Sequence, residues 1–380
     1  MVSMRELEYE IFNFKGEKVN KKFVRIDWNL ETAKKGGYKH YMRKEIQEDY
    51  LAAKNALNLN EAKIEKIAKL ISNYKFVYLT GMGTSLHAAM IGNYWFDLTN
   101  KKHSKRSYQS IDSSELIFKY LDEDYLVLAL TQSGETKETL DALKYAKKRG
   151  AKTVSIVNVP NSSATFSEYS DECILQGSGP EIAVCATKTF IGQLMVLARL
   201  AEKLDEWQNN YKWELEKVPS FIKNVLEKEA EIRKKTKNFC KTQMYFMVGN
   251  GINYPSAKEF ALKFKEITYM EAEAMTSGFF KHGTLSLIDE RFRVFALISP
   301  DYKKAELMKH HLEEIKARKG KILSVGFDKE CDLYFDLEIE EKLSPFPFAV
   351  SGQLISYHYA DLLEREIDKP RHLAKSVTVY

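Results

Sequence analysis

From about residue 66 onward, short apolar runs alternate with longer segments of helical spacing. Lys75-Phe-Val-Tyr-Leu-Thr80, Tyr125-Leu-Val-Leu-Ala-Leu130 and Lys152-Thr-Val-Ser-Ile-Val157 are apolar at most positions, as strands covered on both faces are. A polar, glycine-bearing loop follows each of the first two. Gly81-Met-Gly-Thr-Ser85 leads into a helix from about Leu86, and Thr131-Gln-Ser-Gly134 into one from about Lys137 to Arg149, ended by Gly150. Strands alternating with helices of this length predict parallel βαβ units. Lys188 to Leu204 is apolar at helical spacing, and Asn209 to Lys237 reads as a charged helix able to connect two domains.

The pattern occurs twice. Val77-Tyr-Leu-Thr-Gly-Met-Gly-Thr-Ser85 is echoed by Tyr245-Phe-Met-Val-Gly-Asn-Gly-Ile-Asn253, and Leu128-Ala-Leu-Thr131 by Phe295-Ala-Leu-Ile-Ser299. The next helix and strand recur as Lys303 to Gly320 and Lys321-Ile-Leu-Ser-Val325. The fold predicted is α/β: two tandem doubly wound domains, 66–206 and 236–365, each a parallel sheet flanked by helices. A linker helix (207–235) joins them, an extension with a helix (1–65) precedes them, and a tail (366–380) follows. The copies differ at their loops. The first has Thr131-Gln-Ser-Gly-Glu-Thr136 where the second has Ser299-Pro-Asp-Tyr302.

Composition narrows the function classes. A chain of 380 residues is long enough for two cores, and its net charge of +5 is spread without a block of like charge. Nucleic-acid tails and membrane anchors are therefore not expected. The four cysteines, Cys173, Cys185, Cys240 and Cys331, form no CxxC pair, so neither a metal site nor a disulfide framework is expected. With no apolar leader and no run of 18 apolar residues, the expectation is a cytoplasmic protein.

The candidate chemistry lies in the loops. Thr131, Gln132, Ser133 and Thr136 offer hydroxyls and an amide before a helix N-terminus, and Thr84 and Ser85 stand at the end of the preceding strand. Either group alone reads as helix capping. Two such loops in one domain fit a phosphate cradle, since a helix N-terminus points unsatisfied N–H groups at an anion. Neither loop is GxGxxG or GxxxxGK[ST], so no nucleotide cofactor is expected. On the helix Glu259 to Ile267, Phe260, Phe264 and Ile267 form an apolar stripe while Glu259, Lys263 and Glu266 share a neighbouring face. Spacing alone reads Glu259 and Lys263 as an ordinary surface pair. His282, in Lys281-His-Gly283, is a loop imidazole, and the tail from Lys369 alone reads as a frayed basic terminus.

Together, several segments resemble one family. Gly83-Thr-Ser85, Gln132-Ser-Gly-Glu-Thr136, Glu181-Ile-Ala-Val-Cys-Ala-Thr-Lys188, Ala261-Leu-Lys-Phe-Lys-Glu-Ile267, Lys281-His-Gly283 and Pro370-Arg-His-Leu-Ala-Lys-Ser-Val-Thr-Val379 are similar to the isomerase half of glutamine–fructose-6-phosphate aminotransferases (glucosamine-6-phosphate synthases), two sugar isomerase (SIS) domains and a tail. The likeness runs from about residue 35 to the end and includes Gly36-Gly-Tyr-Lys-His-Tyr-Met-Arg-Lys-Glu45.

The resemblance implies roles. Ser85, Thr131, Gln132, Ser133 and Thr136, with Thr84 beside them, would hold the substrate phosphate. Val184, Ala186 and Ala374 would line the sugar, and Lys375 would form a Schiff base with it. Glu266, with Lys263 nearby, would move a proton between C1 and C2, and His282 would assist ring opening from a neighbouring subunit, which implies a homodimer with a shared site. The activity implied interconverts fructose 6-phosphate plus ammonia with glucosamine 6-phosphate, without a cofactor. The family's N-terminal cysteine nucleophile has no counterpart, since Val2 follows Met1, so a separate glutaminase subunit is the expected source of ammonia if glutamine is used. Phe279 and Thr284 replace a usual glutamate and proline around Lys281-His-Gly283, and Thr131 and Ala186 replace serines, changes that can alter substrate preference. Three alternatives remain: a deglycase of a 6-phosphofructosamine-type conjugate, a plain aldose–ketose isomerase, and a non-catalytic phosphosugar sensor. A sensor has no need of Lys263, Glu266, His282 and Lys375 together.

Overall fold

The computed structural model describes residues 2–5, 8–20, 34–100, 106–206, 213–242 and 244–379. An antiparallel hairpin, Val2–Arg5 against Glu8–Ile11, comes first. Helices Tyr41–Gln47, Asp49–Leu57 and Glu61–Ser72 follow. In the third, Ile64, Ile67, Ala68 and Ile71 fall at i, i+3, i+4 and i+7 and are all buried, while the Asn60 side chain accepts the Lys63 amide as an N-cap.

The first sheet has five parallel strands in the order Ser107–Asp112, Phe76–Gly81, Tyr125–Thr131, Lys152–Val157, Glu172–Leu175. The connections reverse direction between Phe76–Gly81 and Tyr125–Thr131. In an open parallel sheet the crevice at such a switch point, beyond the carboxyl ends, is where ligands bind. The loops carrying Thr84 and Gln132–Thr136 open there. The second sheet repeats the order, as Glu271–Met275, Met244–Val248, Arg293–Ile298, Lys321–Gly326, Leu333–Tyr334. The sequence repeat is a repeat of topology. Even the first strand-to-helix turn is matched: a Cβ on Gly81 would lie 2.8 Å from the Ser85 backbone, and one on Gly249 2.3 Å from the Asn253 carbonyl oxygen. Only glycine permits that approach.

One continuous core joins the two halves, running from Ile64 and Leu128 to Phe264 and Ile355. Its centre is the helix pair Asn253–Thr268 and Pro345–Leu362, the latter buried from Pro345 to Ala360. Asn253–Thr268 packs in turn on Thr84–Leu98 of the first domain. The expected single linker helix is corrected. Residues 207–212 lie outside the described residues, and the rest forms two helices, Val218–Glu227 and Glu229–Phe239. Val218, Phe221, Ile222, Val225 and Leu226 are buried, so this segment is a wall of the core rather than a solvated connector. Among the described residues no helix is long and apolar enough to cross a membrane.

Candidate functional site

The loop after Tyr125–Thr131 is folded by its own hydroxyls. Thr131 Oγ1 accepts the Gly134 amide at 3.1 Å and lies 3.2 Å from Thr136 Oγ1, and Ser133 Oγ accepts the Glu135 amide at 3.1 Å. Gly134 has φ +72°, and a Cβ there would fall 1.9 Å from Ser162 Oγ, so both conformation and space require glycine. Glu135 holds the loop to its neighbour, its oxygens accepting the Ser163 amide and hydroxyl at 2.7 Å each. The Gln132 carbonyl accepts the Asn158 amide at 3.2 Å. Thr136 precedes helix Lys137–Lys148 without capping it by a side-chain hydrogen bond. The equivalent helix of the second domain, Tyr302–Lys316, is closed by Asp301, whose Oδ1 accepts the Lys304 amide at 3.0 Å.

The acidic face of Asn253–Thr268 is turned inward, which corrects the surface-pair expectation. Lys263 is 1% exposed and Glu259 2%. The Lys263 ammonium lies 2.5 Å from Glu266 Oε2 and 3.5 Å from Glu259 Oε1. Glu259 also accepts the Thr84 hydroxyl at 2.9 Å and meets His87 Nδ1 at 2.7 Å. Burial alone would lower the Lys263 pKa, but the Glu266 and Glu259 carboxylates overcome it and hold the ammonium above its ordinary range. Thr84 is therefore tied to this charged row rather than to the phosphate loop. Ser85 is buried, its hydroxyl accepting from Gln193 Nε2 at 2.9 Å.

The tail is docked, not frayed. The Arg371 amide donates to the Tyr269 hydroxyl at 3.0 Å, Ser376 Oγ donates to Ser133 Oγ at 3.0 Å, and the Val377 carbonyl accepts the Lys137 amide at 3.0 Å. Between these ties, Lys375 Nζ donates to Glu181 Oε2 at 2.5 Å. The Glu181 side chain is fully buried and also accepts the Thr187 amide at 2.9 Å, the Thr189 amide at 3.1 Å and the Thr189 hydroxyl at 2.9 Å. Burial pushes this carboxyl up, but the Lys375 ammonium and the two amides outweigh it, so it ionises below the usual range. Two residues past Ala183, the Cys185 thiol is pushed up by burial and then by the Glu266 carboxylate, while Lys263 and Lys375 pull it back. The 181–187 segment thus lies between the tail lysine and the charged row.

Of the residues singled out in the sequence, Thr131, Ser133, Thr136, Lys263, Glu266 and Lys375 fall into this connected region, with Val184 and Ala186 on the segment between. His282 does not. It lies on an exposed turn whose amide donates to the Phe279 carbonyl at 2.9 Å, with no bond to Lys263, Glu266 or Lys375. Gln132 joins through its backbone, and Ala374 is exposed beside Lys375. Sequence reasoning did not single out Glu181, His87 or Ser376 and gave Glu259 no role. Glu181 opens the motif Glu181 to Lys188, but nothing in that motif marks Lys375, 194 positions on, as its partner. Among the described residues no group of three His, Cys, Asp or Glu could hold a metal ion.

Two matched doubly wound sheets with a hydroxyl-lined loop at one switch point define the class. Residues 70–203 and 239–357 each match the SIS domain, and the chain belongs to that family. The glutamine–fructose-6-phosphate aminotransferase (isomerizing) of Methanococcus maripaludis is 44% identical over 98% of this chain, which spans 62% of that relative. The Methanocaldococcus jannaschii protein of that name is 42% identical over 100% of this chain, which spans 35% of it. Among solved structures, the C-terminal domain of glucosamine-fructose-6-phosphate aminotransferase from Francisella tularensis superposes with a TM-score of 0.79 at 30% identity, covering 89% of this chain and 100% of that one. A glucosamine-6-phosphate deaminase from Thermotoga maritima shares the fold, with a TM-score of 0.72 at 22% identity over 89% of this chain and 99% of that one.

Proposed function

We propose that this chain interconverts fructose 6-phosphate plus ammonia with glucosamine 6-phosphate, as a cytoplasmic enzyme. The observation that carries the reading is the docked tail, which holds Lys375 on Glu181 while its next residue bonds the Ser133 hydroxyl. An amine paired with a buried carboxylate thus stands one residue from a bond to the phosphate-type loop. The relatives' names and the chemistry of each group support the same reading.

In the synthetic direction the loop from Thr131 to Thr136 holds the phosphate at the helix N-terminus. The Lys375 amine attacks the C2 carbonyl of the open-chain ketose and water leaves, giving a Schiff base. Ammonia then displaces the lysine from C2. Glu266 removes a proton from C1 and returns it to C2 while the O1 hydroxyl proton passes to the nitrogen, which leaves an aldehyde at C1 and an amine on C2. Lys263 holds the Glu266 carboxylate in place through their ion pair at 2.5 Å. His282 stands apart from this chain's own site, so in this reading a neighbouring subunit supplies it and the enzyme is a homodimer with a shared site. Nitrogen enters as free ammonia or from a separate glutaminase subunit.

The test is product analysis. Fructose 6-phosphate with ammonium should yield glucosamine 6-phosphate, and glucosamine 6-phosphate alone should release ammonium. Neither ammonium uptake nor release, with aldose–ketose exchange intact, would replace this reading with a plain isomerase.

A further inference from the structure

Lys375 and Glu181 are 194 positions apart, and neither belongs to a strand or helix that could fix it. What brackets them is the helix Tyr41–Gln47. Its N-terminus is closed by the tail: Asp368 Oδ2 accepts the Tyr41 amide and Oδ1 the Met42 amide, both at 3.0 Å. The Asp368 carbonyl in turn accepts the Val184 amide at 2.9 Å. One turn along the helix, Glu45 Oε1 accepts the amides of Ile182 and of Ala183, the latter at 3.3 Å. The helix therefore grips the segment that begins at Glu181 and the strap that leads to Lys375.

We infer that Glu45 is a positioning residue for the Schiff-base lysine: by gripping the Ile182 and Ala183 amides it sets where Glu181 presents its carboxylate, and its own charge state acts on the Lys375 amine. The inference rests on the role of Lys375 proposed above.

Glu45 is 1% exposed, and its second oxygen, Oε2, is buried without a hydrogen bond. An anion so placed is poorly solvated. Burial, then the Glu181 carboxylate, push the Glu45 carboxyl up to about 8, against the Ile182 amide, Lys375 and Lys188. The other charged groups around it are already engaged or also buried. Glu48 is bonded to Lys44 at 2.8 Å and to Lys188 at 2.6 Å, and Asp49 is fully buried, its carboxyl raised by burial and Glu181. Near neutral pH Glu45 is thus a protonated acceptor that holds the loop. As pH rises through about 8 it becomes a second negative charge beside an amine that must shed a proton to attack.

The experiment measures the rate at which borohydride traps labelled fructose 6-phosphate on the full chain. Wild type, E45Q, E45A and K375A are compared from pH 6.5 to 9.5, with thermal melts alongside. Glutamine keeps the carbonyl acceptor but cannot ionise. At pH 7 E45A should trap at least about tenfold more slowly, the scale of a displaced reacting group. E45Q should stay within roughly threefold of wild type, because the loop's hydrogen bonds survive. The wild-type pH profile should show an inflection near 8 that E45Q lacks. Trapping in E45A equal to wild type, or a wild-type inflection retained by E45Q, overturns the inference; the E45Q profile decides if E45A does not fold. If wild type is as blank as K375A, the lysine reading falls and takes the inference with it. If wild type is trapped with indifference to Glu45, only the inference falls.

Discussion

The replacement Lys263→Met tests whether the buried row on Asn253–Thr268 is an interacting unit. Lys263 lies 2.5 Å from Glu266 and 3.5 Å from Glu259. At an effective dielectric of about 20, those separations give attractions of about 7 and about 5 kcal/mol. Desolvation of the ions, several kcal/mol each, offsets most of that sum. Removing one partner restores none of the desolvation cost of the others, and Glu259 would keep only Thr84 and His87. Lys263→Met should therefore cost about 3–5 kcal/mol, the range for breaking a buried pair. The pH window follows from the sign of the shift. A lysine whose folded pKa is raised contributes fully below its unfolded value of about 10.4 and loses that contribution only at higher pH, so measurement at neutrality sees all of it. Urea denaturation of wild type, Lys263→Met, Glu259→Gln and the double variant supplies the cycle. The double variant should recover part of the loss, since the more buried of the two stranded carboxylates is gone while Glu266 remains. A single variant within about 1 kcal/mol of wild type, with no coupling to Glu259, would refute the argument, because exposed pairs behave that way.

Other outcomes follow from the same geometry. Glu266→Gln should lower kcat by about 10²–10⁴ with KM nearly held, as loss of a positioned base does; a proportionate rise in KM instead would make Glu266 a binding group. Ser133→Ala with Thr136→Ala should raise KM for the phosphosugar, each charge-assisted hydrogen bond lost costing about 1.5–3 kcal/mol, and unchanged binding would sink the phosphate assignment. Truncation from Ala374 onward removes Lys375, the Ser376 bond to Ser133 and the Val377 bond to Lys137, so activity should vanish while the melt stays cooperative; full turnover would refute the role given to the tail. Glutamine should not replace ammonium for this chain, because burial pushes all four thiols, Cys173, Cys185, Cys240 and Cys331, above the ordinary range and leaves none as a ready thiolate. Glutamate formed from glutamine by the pure protein would contradict this.

The central strands were legible in the sequence because strands covered on both faces must be apolar throughout, as Leu126 to Leu130 is. Ser107–Asp112 (SYQSID) and Glu271–Met275 (EAEAM) are edge strands, polar and partly exposed, and their pairing is supplied by a neighbour rather than by their own pattern. The site was legible where its chemistry is local, as in Thr131 to Thr136. Glu259 and Lys263 misled for a physical reason. Spacing fixes which side chains share a helix face, not what that face packs against, and here Thr84–Leu98 covers it. Glu181 and Glu45 were passed over for the same reason. Their partners stand far along the chain, and a lone glutamate carries no sign of a buried ammonium or amide waiting for it.

The two copies of the fold are not equivalent at their candidate loops. Each copy places a helix after its first strand, Thr84–Leu98 and Asn253–Thr268, and these pack on each other across the junction. In the first copy the helix N-terminus after the third strand is left without a side-chain cap, and the tail's Val377 carbonyl reaches it. In the second, Asp301 takes that place and puts a carboxylate where an anion would bind. In the proposed reading, phosphate binding is thereby confined to the first copy. In that reading the second contributes the proton-transfer group, because its junction helix turns Glu259 toward Thr84 and His87 and lines up Lys263 and Glu266 behind it. Two sheets of one topology thus present unlike crevices, set apart by Asp301 on one side and by a single charged helix face on the other.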